Sequence, residues 1–128
     1  MKKALMMVFA VVFFVSGIEV FADYNKEVTV KAMKENYAAF TKAKAAAGSG
    51  DYFAAADGLM TIARNALMLS VMDPPKGSKE DWESLQKQLA RAAFKGIGAC
   101  GEGTKTAVDA AFSEMGSVQM KGHGTFRG

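Results

Sequence analysis

The chain has 128 residues, is 50% hydrophobic, and carries 16 lysines and arginines against 13 aspartates and glutamates. This length is typical of one domain with a buried core, so we expect a single folded unit. The basic residues are interspersed with acidic ones and form no stripe, which argues against binding to nucleic acid or to an anionic membrane.

The first 22 residues have the pattern of a secretory signal peptide. Lys2 and Lys3 form a positive start, residues 4–15 are an unbroken apolar run, and Ala22 is a small residue before the expected cut. A membrane anchor is the alternative, but this run is shorter than the roughly 20 residues that span a bilayer. We therefore expect export to the periplasm, a mature domain of residues 23–128, and no stable membrane anchor once the signal is removed.

The apolar residues of the next two segments recur at steps of three and four, as on one face of a helix. Residues 48–50 end the first segment, and Asp51 is a suitable N-cap for the second. The predicted face of the first helix is Val30, Met33, Tyr37, Phe40, Ala43 and Ala47. That of the second is Phe53, Ala56, Met60, Ala63 and Leu67, widened by Leu59, Ile62, Ala66 and Leu69.

Two further helices follow a loop at residues 73–77, where consecutive prolines stop helix formation. Ser78 is a suitable cap for the third helix, which we expect to fade into the glycines of residues 98–103, and Thr104 or Thr106 caps the fourth. The predicted face of the third helix is Trp82, Leu85, Leu89, Ala92, Gly96 and Ala99. That of the fourth is Val108, Phe112, Met115, Val118 or Gln119, and Gly122.

No window alternates between apolar and polar residues over a strand's length, so we expect no β-sheet. Four helices of about 20 residues joined by short loops pack most simply as an antiparallel up-down-up-down bundle. The predicted fold class is therefore all-α.

The order of these features resembles the cytochrome c-prime family, including its methionine-ligated relatives. The resemblance covers nearly all of the mature region and rests on residues 30–34, on the linker at residues 75–82 and on residues 108–116. Its most specific part is the end of the last helix, where the family carries C-x-x-C-H followed by an aromatic and a basic residue. Here the matching residues 119–123 read Gln-Met-Lys-Gly-His, followed by Phe126 and Arg127.

The missing cysteines exclude covalent haem at this motif. Each cysteine of C-x-x-C-H forms a thioether to a haem vinyl group, and the histidine binds the iron. Gln119 and Gly122 stand at the two cysteine positions and cannot form a thioether, whereas His123 is retained. Cys100 is the only cysteine and lies about 19 residues away, so we expect it to fill space near a helix end.

The resemblance implies three residues that would hold haem if it is bound: His123 as iron ligand, Met33 as second axial ligand, and Arg127 beside a propionate. Each has a plainer interpretation. His123 can be a solvated histidine near the chain end, Met33 a core residue by its periodicity, and Arg127 a counter-charge at a helix C-terminus. Trp82 and Phe126 are interpreted as packing anchors.

Two functions are consistent with these residues. The first is a haem-free periplasmic binding or interaction module, whose vacated haem cleft takes a small apolar ligand or a partner's side chain. The second is a non-covalent haem protein of electron transfer or gas binding, with His123 on the iron. A haem protein needs an open cleft beside His123, whereas a haem-free one can fill it with Met120 or Phe126.

Neither function is enzymatic, because the chain shows no catalytic triad, paired carboxylates, zinc site or phosphate loop. We predict no catalytic residues. The resemblance also implies a homodimer, since family members pair through their first two helices.

Overall fold

Four helices make up the fold of residues 23–126, which are the residues that the computed structural model describes. Helix α1 is Lys26–Gly48, α2 is Tyr52–Ser70, α3 is Lys79–Glu102 and α4 is Lys105–Phe126. No β-strand occurs within this range, so the predicted all-α class is confirmed. The predicted signal peptide, residues 1–22, and Arg127 lie outside the described residues.

Side-chain caps fix where the first three helices begin. Asn25, Asp51 and Ser78 each accept a hydrogen bond from the backbone N–H three residues on, at 3.1, 3.2 and 3.1 Å respectively. Such a cap satisfies one of the unpaired N–H groups of the first turn and stabilises the helix by about 1 kcal/mol. The caps predicted at Asp51 and Ser78 are confirmed.

The third helix is longer than its glycines suggested. It continues through Gly98 and Gly101 to Glu102, and it ends at Gly103, whose φ of 73° is left-handed. The buried contacts of Ala99 and Cys100 outweigh the modest helix propensity of the glycines. The loop predicted for residues 98–103 is therefore wrong except at its last residue.

The helices pack in chain order, α1 on α2, α2 on α3 and α3 on α4, whereas α1 and α4 are barely in contact. One of the few links between α1 and α4 is an edge-to-face pair of Phe40 and Phe112, with ring centroids 5.5 Å apart. The result is a four-helix bundle that is open along part of the α1–α4 side.

The predicted core faces are right for α3 and α4 and wrong in part for α1 and α2. On α1 the buried residues are Thr29, Ala32, Asn36, Ala43 and Ala47, whereas Val30, Met33 and Tyr37 are 37%, 37% and 74% exposed. These three residues lie on the open side between α1 and α4. On α2 the widening row Leu59, Ile62, Ala66 and Leu69 forms the core.

The other predicted row of α2 is partly exposed. Phe53, Met60 and Leu67, spaced seven residues apart, lie outside at 86%, 46% and 42% exposure. Because α2 packs on both α1 and α3, the sides toward those two helices are buried and this third side is left outside.

Close approach of α1 and α2 requires a glycine. A Cβ atom at Gly58 would lie 2.8 Å from the Cβ of Ala43 and 3.0 Å from the carbonyl oxygen of Ala39. Both of these atoms belong to the fixed framework of α1, so the helices would have to separate. Gly98 on α3 is the contrast, because a Cβ there meets no atom within 4 Å.

We therefore expect Gly58→Ala to lower the free energy of unfolding by about 1 to 3 kcal/mol through overpacking. Gly98→Ala should raise it by about 0.5 to 1 kcal/mol through helix propensity alone. Urea unfolding followed by circular dichroism measures both. Equal effects of the two substitutions would mean that α1 and α2 are not in this contact.

Candidate functional site

A cleft of about 590 Å³ lies on the open side of the bundle, between α1 and α4. We call it the α1–α4 cleft. Its volume is within the range of about 300 to 1,000 Å³ that is usual for small-molecule and cofactor sites. Most of its lining is apolar or aromatic: Val30, Met33, Tyr37, Leu69, Pro75, Trp82, Leu85, Leu89, Val118 and Phe126.

The floor of the cleft is held by Trp82, which is 1% exposed. Its indole N–H donates a hydrogen bond to the carbonyl oxygen of Leu69 at 2.6 Å, which satisfies the indole and one carbonyl near the end of α2. Phe126 packs edge to face on the indole, with centroids 5.1 Å apart, and its ring lies against Gly77 in the loop. The interpretation of Trp82 and Phe126 as packing anchors is confirmed.

Four residues singled out from the sequence line this cleft together: Met33 from α1 and Gln119, Gly122 and His123 from α4. Met33 is more than 80 residues from the other three in the chain, and they line one cleft because α1 and α4 bound the same opening. His123 is exposed. Met33 is 37% exposed, so its interpretation as a core residue is wrong.

The cleft is not filled by the side chains that could have closed it. Met120 is 77% exposed and is not part of the lining. Phe126 contributes to the lining but is turned onto Trp82. The space beside His123 therefore stays open.

The side-chain types that line the cleft include those of non-covalent haem sites, and no thiol stands at the positions of Gln119 and Gly122. An imidazole and a thioether, the ligand types of His–Met iron sites, both line the cleft. At the second cysteine position, a Cβ on Gly122 would lie 2.6 Å from Cδ2 of Leu85. Leu85 is buried at 7% exposure, so a cysteine there would require the end of this leucine side chain to shift.

Cys100 has the environment of a structural thiol. It is 4% exposed, and burial raises the pKa of its thiol. A raised pKa leaves less of the reactive thiolate at neutral pH. This supports the predicted role as a small packing residue.

Sequence reasoning missed Thr29 and Gln86, two polar residues that line the cleft and are 2% and 5% exposed. For each of them, helical spacing from a residue singled out in the sequence could have indicated its place in the cleft. Gln86 lies four residues after Trp82 and next to Leu85, both on the apolar face of α3, and Thr29 lies four residues before Met33 on α1.

Comparison of the chain with protein-family models, curated proteins and solved structures finds no match. Within residues 23–126, no helix is both long enough and apolar enough to cross a membrane.

Proposed function

We propose that this chain is an exported, cytochrome c-prime-like bundle that carries no covalent haem and binds a small, mostly apolar molecule in the α1–α4 cleft. The observation that carries the proposal is the cleft itself: it is open, mostly apolar, and lined by the residues that correspond to the family's haem motif. Export to the periplasm is supported by the pattern of residues 1–22.

The proposed arrangement is up-down-up-down. Between α1 and α2, Asn36 contacts Asn65, and Ala43 lies next to Gly58. Residue numbers therefore rise along α1 in the direction in which they fall along α2. Between α3 and α4, Leu85 approaches Gly122, and Gly96 approaches Ala111. These pairs support antiparallel packing of consecutive helices, as in the cytochrome c-prime family.

Binding of an apolar molecule follows from the lining. Transfer of apolar surface from water into such a cleft is favourable by roughly 25 cal/mol per Å², and α1 leaves Val30, Met33 and Tyr37 uncovered by any other helix. A ligand in the cleft would cover these side chains and would add to the few contacts between α1 and α4.

A titration with para-xylene tests the proposed binding, with amide and indole N–H resonances followed by NMR. We expect the largest shifts at the indole of Trp82 and the amide of Gly122, because both line the cleft. The amide of Gly98, on the far part of α3, should not move. Shifts centred on Phe53 and Met60 instead would place the binding on the outside of α2.

The haem-free state is tested on protein purified from the periplasm of a haem-exporting host. We expect an intact mass equal to that of residues 23–128, because Gln119 and Gly122 cannot form thioethers. The haem-free proposal also expects no Soret band, which covers haem held without covalent bonds. A mass higher by one haem, stable to acid extraction, would contradict the proposal. A retained apolar start would contradict the cleavage after Ala22.

Non-covalent haem binding is the second candidate, favoured by one observation: His123 and Met33 line the same cleft. In that case His123 would hold the iron and Met33 would offer the second ligand, and the haem would supply redox or gas-binding chemistry. Added haem should then give a Soret shift that His123→Ala removes. A shift that survives this substitution would indicate non-specific association.

The homodimer implied by the resemblance remains a prediction. The exposed row of Phe53, Met60 and Leu67 on α2 is the apolar surface that supports it.

A further inference from the structure

Two polar side chains in the α1–α4 cleft carry buried oxygens that have no hydrogen-bond partner among residues 23–126. They are Oγ1 of Thr29 on α1 and Oε1 of Gln86 on α3. Both residues line the cleft and both are more than nine-tenths buried, at 2% and 5% exposure. The third buried polar residue of the lining, Asn36, is different, because its Oδ1 accepts a hydrogen bond from Nδ2 of Asn65 at 3.1 Å.

An unpartnered polar atom in a protein interior is unusual and unfavourable. Buried polar side-chain atoms are in large majority hydrogen-bonded, and each exception requires an explanation. A leucine or methionine at position 86 would continue the apolar face of Trp82, Leu85 and Leu89 without this cost. The presence of an amide there is explained if the cleft receives a group that bonds to it.

The terminal amide of Gln86 can turn toward such a group. The last torsion of a glutamine side chain has broad, roughly two-fold minima, so a half-turn exchanges the places of the amide oxygen and nitrogen with little change of shape. The oxygen that is unpartnered in the protein alone can then face a ligand whose apolar part lies against Trp82 and Leu89. Thr29 carries the second unpartnered oxygen, on the α1 side of the same cleft.

We propose that the ligand of the α1–α4 cleft is an amphipathic molecule, an apolar ring or chain bearing a hydroxyl or N–H group that donates a hydrogen bond to Gln86, with Thr29 as a second polar contact. The inference rests on the proposed binding function and specifies its ligand class. A purely apolar ligand would leave both oxygens unpartnered. A hydroxyl is the simplest group that can both donate to Gln86 and accept a hydrogen bond.

The test compares two probes of nearly the same shape, para-cresol and para-xylene, which differ by a hydroxyl in place of a methyl group. Dissociation constants are measured by NMR titration for wild type and for Gln86→Met, which keeps the length of the side chain and removes the amide. The quantity of interest is the ratio of the cresol constant to the xylene constant, compared between variants. The two probes differ in their free energy of transfer from water, but this difference is the same for every variant and cancels in the comparison.

We expect Gln86→Met to weaken cresol relative to xylene by about five- to tenfold, as loss of one hydrogen bond predicts. Thr29→Val, which replaces the hydroxyl by a methyl group, should change the ratio in the same direction. The matched control is Gln88→Met on the same helix. Gln88 does not line the cleft, and its side-chain amide donates a hydrogen bond to Ser84. The ratio of the two dissociation constants for Gln88→Met should therefore equal that for wild type.

Protein stability gives a second readout. Because Gln86→Met removes an unpartnered polar group from the interior, the midpoint of its urea unfolding should be equal to or higher than that of wild type. A clearly lower midpoint would mean that the amide bonds within the protein and would overturn the proposal.

The outcomes separate this inference from the proposed function. Xylene and cresol binding in the cleft with a ratio that Gln86→Met leaves unchanged would overturn the hydroxyl contact and leave cleft binding standing. If neither probe binds to wild type, the hydroxyl contact and the proposed function are both contradicted.

Discussion

Replacing Phe112 by alanine is expected to lower the free energy of unfolding by about 3 to 5 kcal/mol, which is the usual cost of emptying a buried phenylalanine site. Phe112 is 5% exposed and packs edge to face on Phe40 of α1. The substitution removes core volume and also one of the few contacts between α1 and α4. Urea unfolding measures the change.

Phe94→Ala is the control, because Phe94 lies on α3 with 52% of its surface exposed. Its effect should be within about 0.5 kcal/mol of zero. Since Phe40 and Phe112 join α1 to α4, Phe112→Ala should also broaden the NMR resonances of cleft residues, whereas Phe94→Ala should not. Equal midpoints for the two variants would contradict the assigned core face of α4.

The sequence was sufficient to predict the helices and two of the four core faces. On α3 and α4 each helix has one continuous apolar side, so periodicity identifies the buried face without further knowledge. Helix α2 has two apolar rows, one with Leu59 and Ile62 and one with Phe53 and Met60, and composition alone does not say which row meets a neighbour. The packing of α2 between α1 and α3 decides it.

On α1 the error falls on the residues that line the cleft. Val30, Met33 and Tyr37 follow the helical period as core residues do, but they line the cleft. A cleft that takes an apolar ligand requires the same residue types as a helix interface, so the two cannot be separated by pattern. Only the sparse contact between α1 and α4 distinguishes them.

The site was predictable where it depended on a motif and not where it depended on packing. The match to C-x-x-C-H pointed to Gln119, Gly122 and His123, and all three line the cleft with Met33. Thr29 and Gln86 were missed because polar residues beside an apolar row are usually solvent-facing. Their burial depends on how α1 and α3 are each rotated within the bundle, which periodicity does not fix.

Blocking the cleft with one side chain tests the central claim most directly. Val30 and Val28 are both on α1 and are 37% and 36% exposed, but only Val30 lines the cleft. A tryptophan at position 30 would place a large ring in the cleft, whereas one at position 28 would add the same ring outside it. Both positions are partly exposed, so neither change should disrupt the core.

The decisive measurement is the dissociation constant of para-xylene for wild type, Val30→Trp and Val28→Trp, by NMR titration. We expect Val30→Trp to weaken binding by tenfold or more, which corresponds to about 1.4 kcal/mol or more, and Val28→Trp to bind as wild type does. Wild-type affinity in Val30→Trp, or equal losses in both variants, would contradict ligand binding in the α1–α4 cleft.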